Sequence, residues 1–128
     1  MITMDRELEL LFEACPPFGE VWGNRVLGRW SGSKRFPAPA ITFAVYAGHV
    51  IATRQLDLVR PIFEVVERLL LEGDERVKDH VVCFFLEGLP QELKKRGVAF
   101  STIEGWLGAE TTYWVEFLKV ALPEVMSD

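Results

Sequence analysis

Two apolar helical patterns, separated by one glycine, constrain this chain more than any other feature. Over 57–72, Leu58, Ile62, Val65, Val66 and Leu69 recur at the spacing of one helix face. Arg60, Glu64 and Arg68 stand four apart on the outside, where they can pair. Asp57 reads as the cap and Pro61 as a residue of the first turn, where its missing N–H is tolerated. Gly73 stops this helix and Asp74 starts the next. There Val77, Val81, Phe84, Phe85 and Leu89 are apolar, with Val82 and Leu86 closing the other side. From Val81 to Leu86 the pattern is apolar almost all round, which predicts a central, buried helix ended by Gly88 and Pro90. So short a joint predicts that the two helices pack antiparallel.

The flanking segments extend the helical pattern. Residues 4–14 form a first helix with Leu8, Leu11 and Phe12 inward, Glu7, Glu9 and Glu13 facing away, Thr3 or Asp5 as cap and Pro16-Pro17 as its end. Residues 18–39 read as irregular, punctuated by Gly19, Gly23, Gly28, Gly32 and Pro37, with an exposed turn at Ser31–Lys34. Trp22, Val26, Leu27, Trp30 and Phe36 would pin that segment to the core. Over 40–53, Ile41–Tyr46 is rich in strand formers, whereas Ala40, Ala44, Ala47, Gly48 and Ala52 supply small faces at helical spacing. A length of about 14 residues favours helix there, and strand stays open. Gln91–Arg96 gives a short turn ending at Gly97, and Ser101–Glu104 fits a capping box for a short helix through Leu107. The last helix, 109–122, presents Tyr113, Trp114, Phe117, Leu118 and Ala121 as its apolar face and Thr111, Glu116 and Lys119 as polar positions, before Pro123. With 128 residues, 49% of them apolar, the chain can bury a core without disulfide or metal. The expected fold is all-α: one domain over 1–128, a bundle of about five to six helices arranged as HEAT-like stacked hairpins.

Charge narrows the choice of partner. The 19 acids and 14 bases leave a net charge of −5, and the excess acids fall after residue 56. Nucleic-acid binders are usually basic, so the balance favours a basic protein partner. Cys15 and Cys83 are far apart in no metal-type spacing and read as reduced thiols. The chain turns charged at once after Met1-Ile2-Thr3-Met4, unlike a secretory signal, and no apolar run approaches the ~18 residues of a membrane span. The expectation is a cytoplasmic protein with no membrane association.

Candidate chemistry is sparse. The two histidines are His49 and His80, and Asp79, His80 and Cys83 lie close on the second strong helix. A thiol–imidazole pair or half a metal site is weighed there against a polar edge of a buried helix. No CxxC or HxxxH supplies further zinc ligands, so the polar edge is preferred. Glu87 interrupts an apolar run and is costly to bury unless bonded. It reads as a structural carboxylate serving a helix terminus or an arginine, since no second catalytic group can be named beside it. Phosphate loops and nucleophile elbows are absent, and Gly105-Trp106-Leu107-Gly108 does not make one. No catalytic residue, cofactor or metal is therefore expected, and the chain reads as a non-enzyme.

Two stretches could bind a partner. Glu64, Glu67, Glu72, Asp74, Glu75 and Asp79 surround the joint between the strong helices. They make either an ordinary solvated face or an electrostatic landing site for a basic protein. Trp22, Arg25, Arg29, Trp30, Lys34, Arg35 and Phe36 combine cations with rings, the pairing that engages phosphates and stacks bases. This segment, 22–36, carries the alternative reading of a nucleic-acid-binding or regulatory module.

Three features add a resemblance. They are Ile62-Phe63-Glu64-Val65-Val66-Glu67 followed by Gly73-Asp74-Glu75-Arg76-Val77-Lys78, then Cys83-Phe84-Phe85-Leu86-Glu87-Gly88-Leu89, then Leu107-Gly108-Ala109-Glu110 with Tyr113-Trp114. Over residues 58–118 the chain resembles small helical bacterial immunity-type proteins encoded beside polymorphic toxin genes. The resemblance implies an all-helical, non-enzymatic protein that binds and blocks a cognate toxin. It also implies that Glu67 and Glu87 hold helices together. The expected partner contacts are Glu64, Glu72, Asp74, Glu75 and Asp79, facing a toxin that is basic at the interface.

Overall fold

The computed structural model of the chain describes residues 1–24 and 39–127. Its elements are α1 (Met4–Ala14), α2 (Pro16–Asn24), α3 (Pro39–Ala52), α4 (Leu56–Glu72), α5 (Glu75–His80), a π-helical turn (Val81–Leu86), α6 (Gly88–Lys95), a 3-10 helix (Phe100–Trp106), α7 (Ala109–Ala121) and α8 (Pro123–Met126). The fold is all-α, as the periodicity predicts. Among the described residues the only extended pairing is one isolated parallel bridge, Ile2 to Gly73.

Prolines mark where expectation and structure part. Pro16-Pro17 ends α1 and also opens α2, because a proline in a first turn gives up no helical hydrogen bond. Residues 18–24 are therefore helical, not irregular. Pro61 lies inside α4, since that helix begins already at Leu56. Asp57, four residues earlier, is exposed, so water can serve the carbonyl that Pro61 cannot. Gly88 and Pro90 do not end the central helix. The Glu87 N–H bonds to the carbonyl of Val82, five residues back, and the chain continues into α6. Widening the turn just before Pro90 relieves the clash its ring would make in a regular helix.

Helix α3 is the centre of the bundle. It packs most extensively on α6 and the π-helical turn, and also touches α1, α2 and α4. Its small residues Ala40, Ala44, Ala47 and Gly48 are buried and let neighbours approach closely. A chain of rings ties the layers together: Phe18 on α2 meets Phe43 on α3 edge-on at 4.9 Å, Phe43 meets Phe85 at 5.4 Å, and Phe85 meets Phe63 on α4 at 6.4 Å. All four are buried in one continuous core. The expected antiparallel pair of α4 with the second strong helix is the lesser contact, and α3 takes the larger share of that helix.

Two further expectations change. The capping box at Ser101–Glu104 does not form: Ala99 holds the cap position, the Thr102 hydroxyl donates to the Ala99 carbonyl, and Glu104 pairs with Lys119 at 2.9 Å. On α7 the buried positions are Thr111, Val115 and Leu118, while Tyr113, Phe117 and Ala121 face outward.

Candidate functional site

The acidic joint is more elaborate than its sequence suggests. Asp74 caps α5, its carboxylate accepting the Val77 N–H at 2.9 Å. Glu72 is half exposed and 3.4 Å from Arg68. Glu75 and Asp79 are exposed beside them on α5. The N-terminal segment threads into this joint. Ile2 donates its N–H to the Glu72 carbonyl at 2.7 Å, and its own carbonyl accepts the Asp74 N–H at 2.8 Å. Gly73 lies between, and a side chain there would run into the Leu69 carbonyl and Val77. Glu64 sits apart, about 12 Å up α4 from Glu72 at 1.5 Å per residue. The structure thus gathers Glu72, Asp74, Glu75 and Asp79 at one end of the bundle and leaves Glu64 on the flank.

Glu67 closes the N-terminus of α7. Its carboxylate accepts the N–H of Glu110 at 2.9 Å, the N–H of Thr111 at 2.8 Å and the Thr111 hydroxyl at 2.8 Å. Burial works to raise its pKa, but the three hydrogen bonds together hold it below the ordinary value. Gly108 precedes that helix because a side chain there would overlap the Glu67 carboxylate. The cap also fixes α7 near the acidic joint, since Glu67 lies only five residues before Glu72 on α4.

The outer face of α7 is the largest departure from sequence reasoning. Tyr113, Phe117 and Val120 recur at i, i+4 and i+7 and are 62%, 51% and 85% exposed. Trp114 stands half-buried beside them, edge-on to Tyr113 at 5.4 Å and to Phe117 at 5.7 Å. Aromatic residues on a helix suggest core, and the small buried Thr111 disguises the true inner face. The signal available in sequence is the 111, 115, 118 spacing of Thr, Val and Leu.

The groups weighed for catalysis are occupied elsewhere. His80 turns toward Glu7, its Nδ1 3.6 Å from Oε2, and packs edge-on against Phe84 at 5.0 Å. Glu7 was expected to face away, yet it is 1% exposed, and neither oxygen has a hydrogen-bond partner among the described residues. Burial pushes the pKa of Glu7 up to about 7, and burial together with Arg76 lowers that of His80, so burial disfavours the charged form of both groups. Cys83 is exposed, and burial of its sulfur followed by the charge and hydrogen bond of Glu87 raises its thiol pKa. Glu87 thus faces a thiol on its own helix, and among the described residues it has no ion pair with an arginine. Among the described residues, no three His, Cys, Asp or Glu side chains gather as a metal site.

Of the basic aromatic segment, Trp22 lies on α2 and packs on the core beside Phe18. Arg25, Arg29, Trp30, Lys34, Arg35 and Phe36 lie outside the described residues. Among the described residues, no helix is long and apolar enough to cross a membrane. The chain belongs to the family described as Domain of unknown function (DUF7674), whose model matches residues 8–119. No curated protein and no solved structure matches it.

Proposed function

We propose that this member of the DUF7674 family is a cytoplasmic, non-catalytic protein-binding domain that neutralises a cognate toxin. One observation carries the reading: the outward apolar stripe of Tyr113, Phe117 and Val120 on α7, two of them aromatic. Apolar side chains on a helix at i, i+4 and i+7 are the anchors that a partner groove accepts, and aromatic ones dominate the energetics of such contacts. Glu72, Glu75 and Asp79 lie toward the same end of the bundle as the start of α7 and add long-range attraction for a basic partner. The likeness of residues 58–118 to immunity-type proteins supplies the kind of partner. The raised thiol pKa of Cys83 disfavours its thiolate and fits a role without a cysteine nucleophile.

The test is co-expression with the toxin encoded beside its gene, followed by growth and co-purification. Protection together with a stable complex is the expected result. Absence of both defeats the toxin reading for that pair. An unchanged complex after Tyr113→Ser and Phe117→Ser moves the interface off α7.

A further inference from the structure

We propose a second docking site, separate from the acidic joint: a groove for an extended peptide that carries acidic residues next to aliphatic or aromatic ones. The groove lies between the α3–α4 turn and residues 97–106. Its deeper part is a cleft of about 420 Å³ lined by Ile51, Leu56, Val59, Val98, Ile103 and Trp106, with Arg54 at the rim. A second depression, lined by Arg60, Glu64, Gly105 and Trp106, shares the same indole. Two depressions that share one ring suit a chain segment better than a compact small molecule.

The charge of the rim selects the partner. Arg60 lies over the Trp106 ring at 5.9 Å. Among the described residues, neither Arg54 nor Arg60 has a carboxylate within ion-pair distance, although Glu64 is four residues from Arg60. In a chain of net charge −5, two arginines left without carboxylates beside an apolar cleft complement an acidic ligand.

Arg54 adds an independent argument. Its φ is 57°, the left-handed region, and it ends α3 by the pattern in which Gln55 N–H bonds Val50 O and Arg54 N–H bonds Ile51 O. Glycine is the residue that fits this position without strain. An arginine is held there at a backbone cost, and its side chain stands at the mouth of the cleft. The aliphatic floor favours a peptide over a nucleic acid. The deeper cleft, at Leu56, and the acidic joint, at Glu72, sit at opposite ends of α4, about 24 Å apart at 1.5 Å per residue.

A displayed library of random dodecamer peptides, selected on the full chain, tests this. Enriched sequences should pair Asp or Glu with Leu, Ile, Phe or Trp, and a synthesised winner should shift the Trp106 indole resonance. Arg54→Glu with Arg60→Glu should weaken that peptide at least about tenfold, as loss of two charge contacts predicts. Arg54→Gly should also weaken it while raising the melting temperature, whereas a purely structural Arg54 would raise the temperature and leave binding intact. Glu75→Lys with Asp79→Lys should leave peptide binding unchanged, which separates this site from the toxin surface. No enrichment, enrichment of basic or neutral peptides, insensitivity to the arginine changes, or displacement by a single-stranded oligonucleotide would overturn the proposal.

Discussion

Glu67 on α4 and Thr111 on α7 share two hydrogen bonds across 44 residues of sequence, from the Thr111 N–H and hydroxyl to one carboxylate oxygen. The other oxygen takes the N–H of Glu110. A single side chain thus satisfies two open N–H groups of the first turn of α7 and anchors it to α4 with the favourable sign for the helix dipole. Glu67→Ala should cost about 2–3 kcal/mol in chemical denaturation, the sum of a lost cap and charge-assisted bonds. Glu67→Gln should cost less, since one acceptor oxygen remains. The Glu67 pKa is depressed, so its contribution is present above the ordinary carboxylate range and lost as pH falls through the folded value.

Glu7 imposes the opposite pH dependence. Its folded pKa of about 7 lies above the ordinary value of 4.5. The folded state therefore holds the proton over that window, and stability falls as pH rises from about 4.5 through about 7. The loss is of the order of 3 kcal/mol, at 1.36 kcal/mol per pKa unit. His80, the titratable group facing it, has a lowered pKa and opposes this trend on the acid side. The comparison that isolates Glu7 is wild type against Glu7→Gln across pH 5–8. The variant should lose the alkaline decline and be the more stable form at pH 8. Parallel curves would place the Glu7 carboxylate in water.

The sequence exposes the period of each helix more readily than its partner. α4 was legible because apolar residues at i, i+3 and i+4 leave one choice of inner face, whereas α1 shows its period but buries Glu7, Leu10 and Leu11 and leaves Leu8 and Phe12 half-buried. The all-α class followed from the same periodicity, with α3 resolved only by its length. Glu7 misled because a carboxylate on an amphipathic helix normally faces water, and no local signal marks the apolar wall formed by Val66, Val81 and Phe85. The α7 faces misled for the converse reason: hydrophobicity ranks Tyr113 and Phe117 above Thr111, but packing follows geometry. Glu67 could be singled out in the sequence, while its partners, two N–H groups 43 and 44 residues away, depend on how α7 folds back. The N-terminal clip at Ile2 left no trace, since backbone hydrogen bonds do not depend on side-chain identity.

The two faces of α7 should respond differently to substitution. Tyr113→Ser with Phe117→Ser removes rings that are more than half exposed, so stability should change by no more than about 1 kcal/mol. Val115→Ala and Leu118→Ala remove buried groups, and each should cost roughly 1–4 kcal/mol through lost burial and the cavity left behind. Thermal denaturation and partner titration together make the distinction. If the outward pair proves as destabilising as the inward pair, the aromatic stripe is packed in solution and is not available to a partner.

The acidic joint divides in the same manner. Glu75 and Asp79 are exposed, whereas Asp74 is committed to the Val77 N–H and Glu72 to Arg68. Glu75→Lys with Asp79→Lys should slow association with a basic partner severalfold at low salt, with little change in dissociation rate and in melting temperature. Asp74→Lys should additionally cost about 1 kcal/mol of stability through the lost cap. Stopped-flow association over a salt series reads the difference. A rate that is indifferent both to these charges and to ionic strength would remove the joint from the encounter and leave the contact to α7 alone.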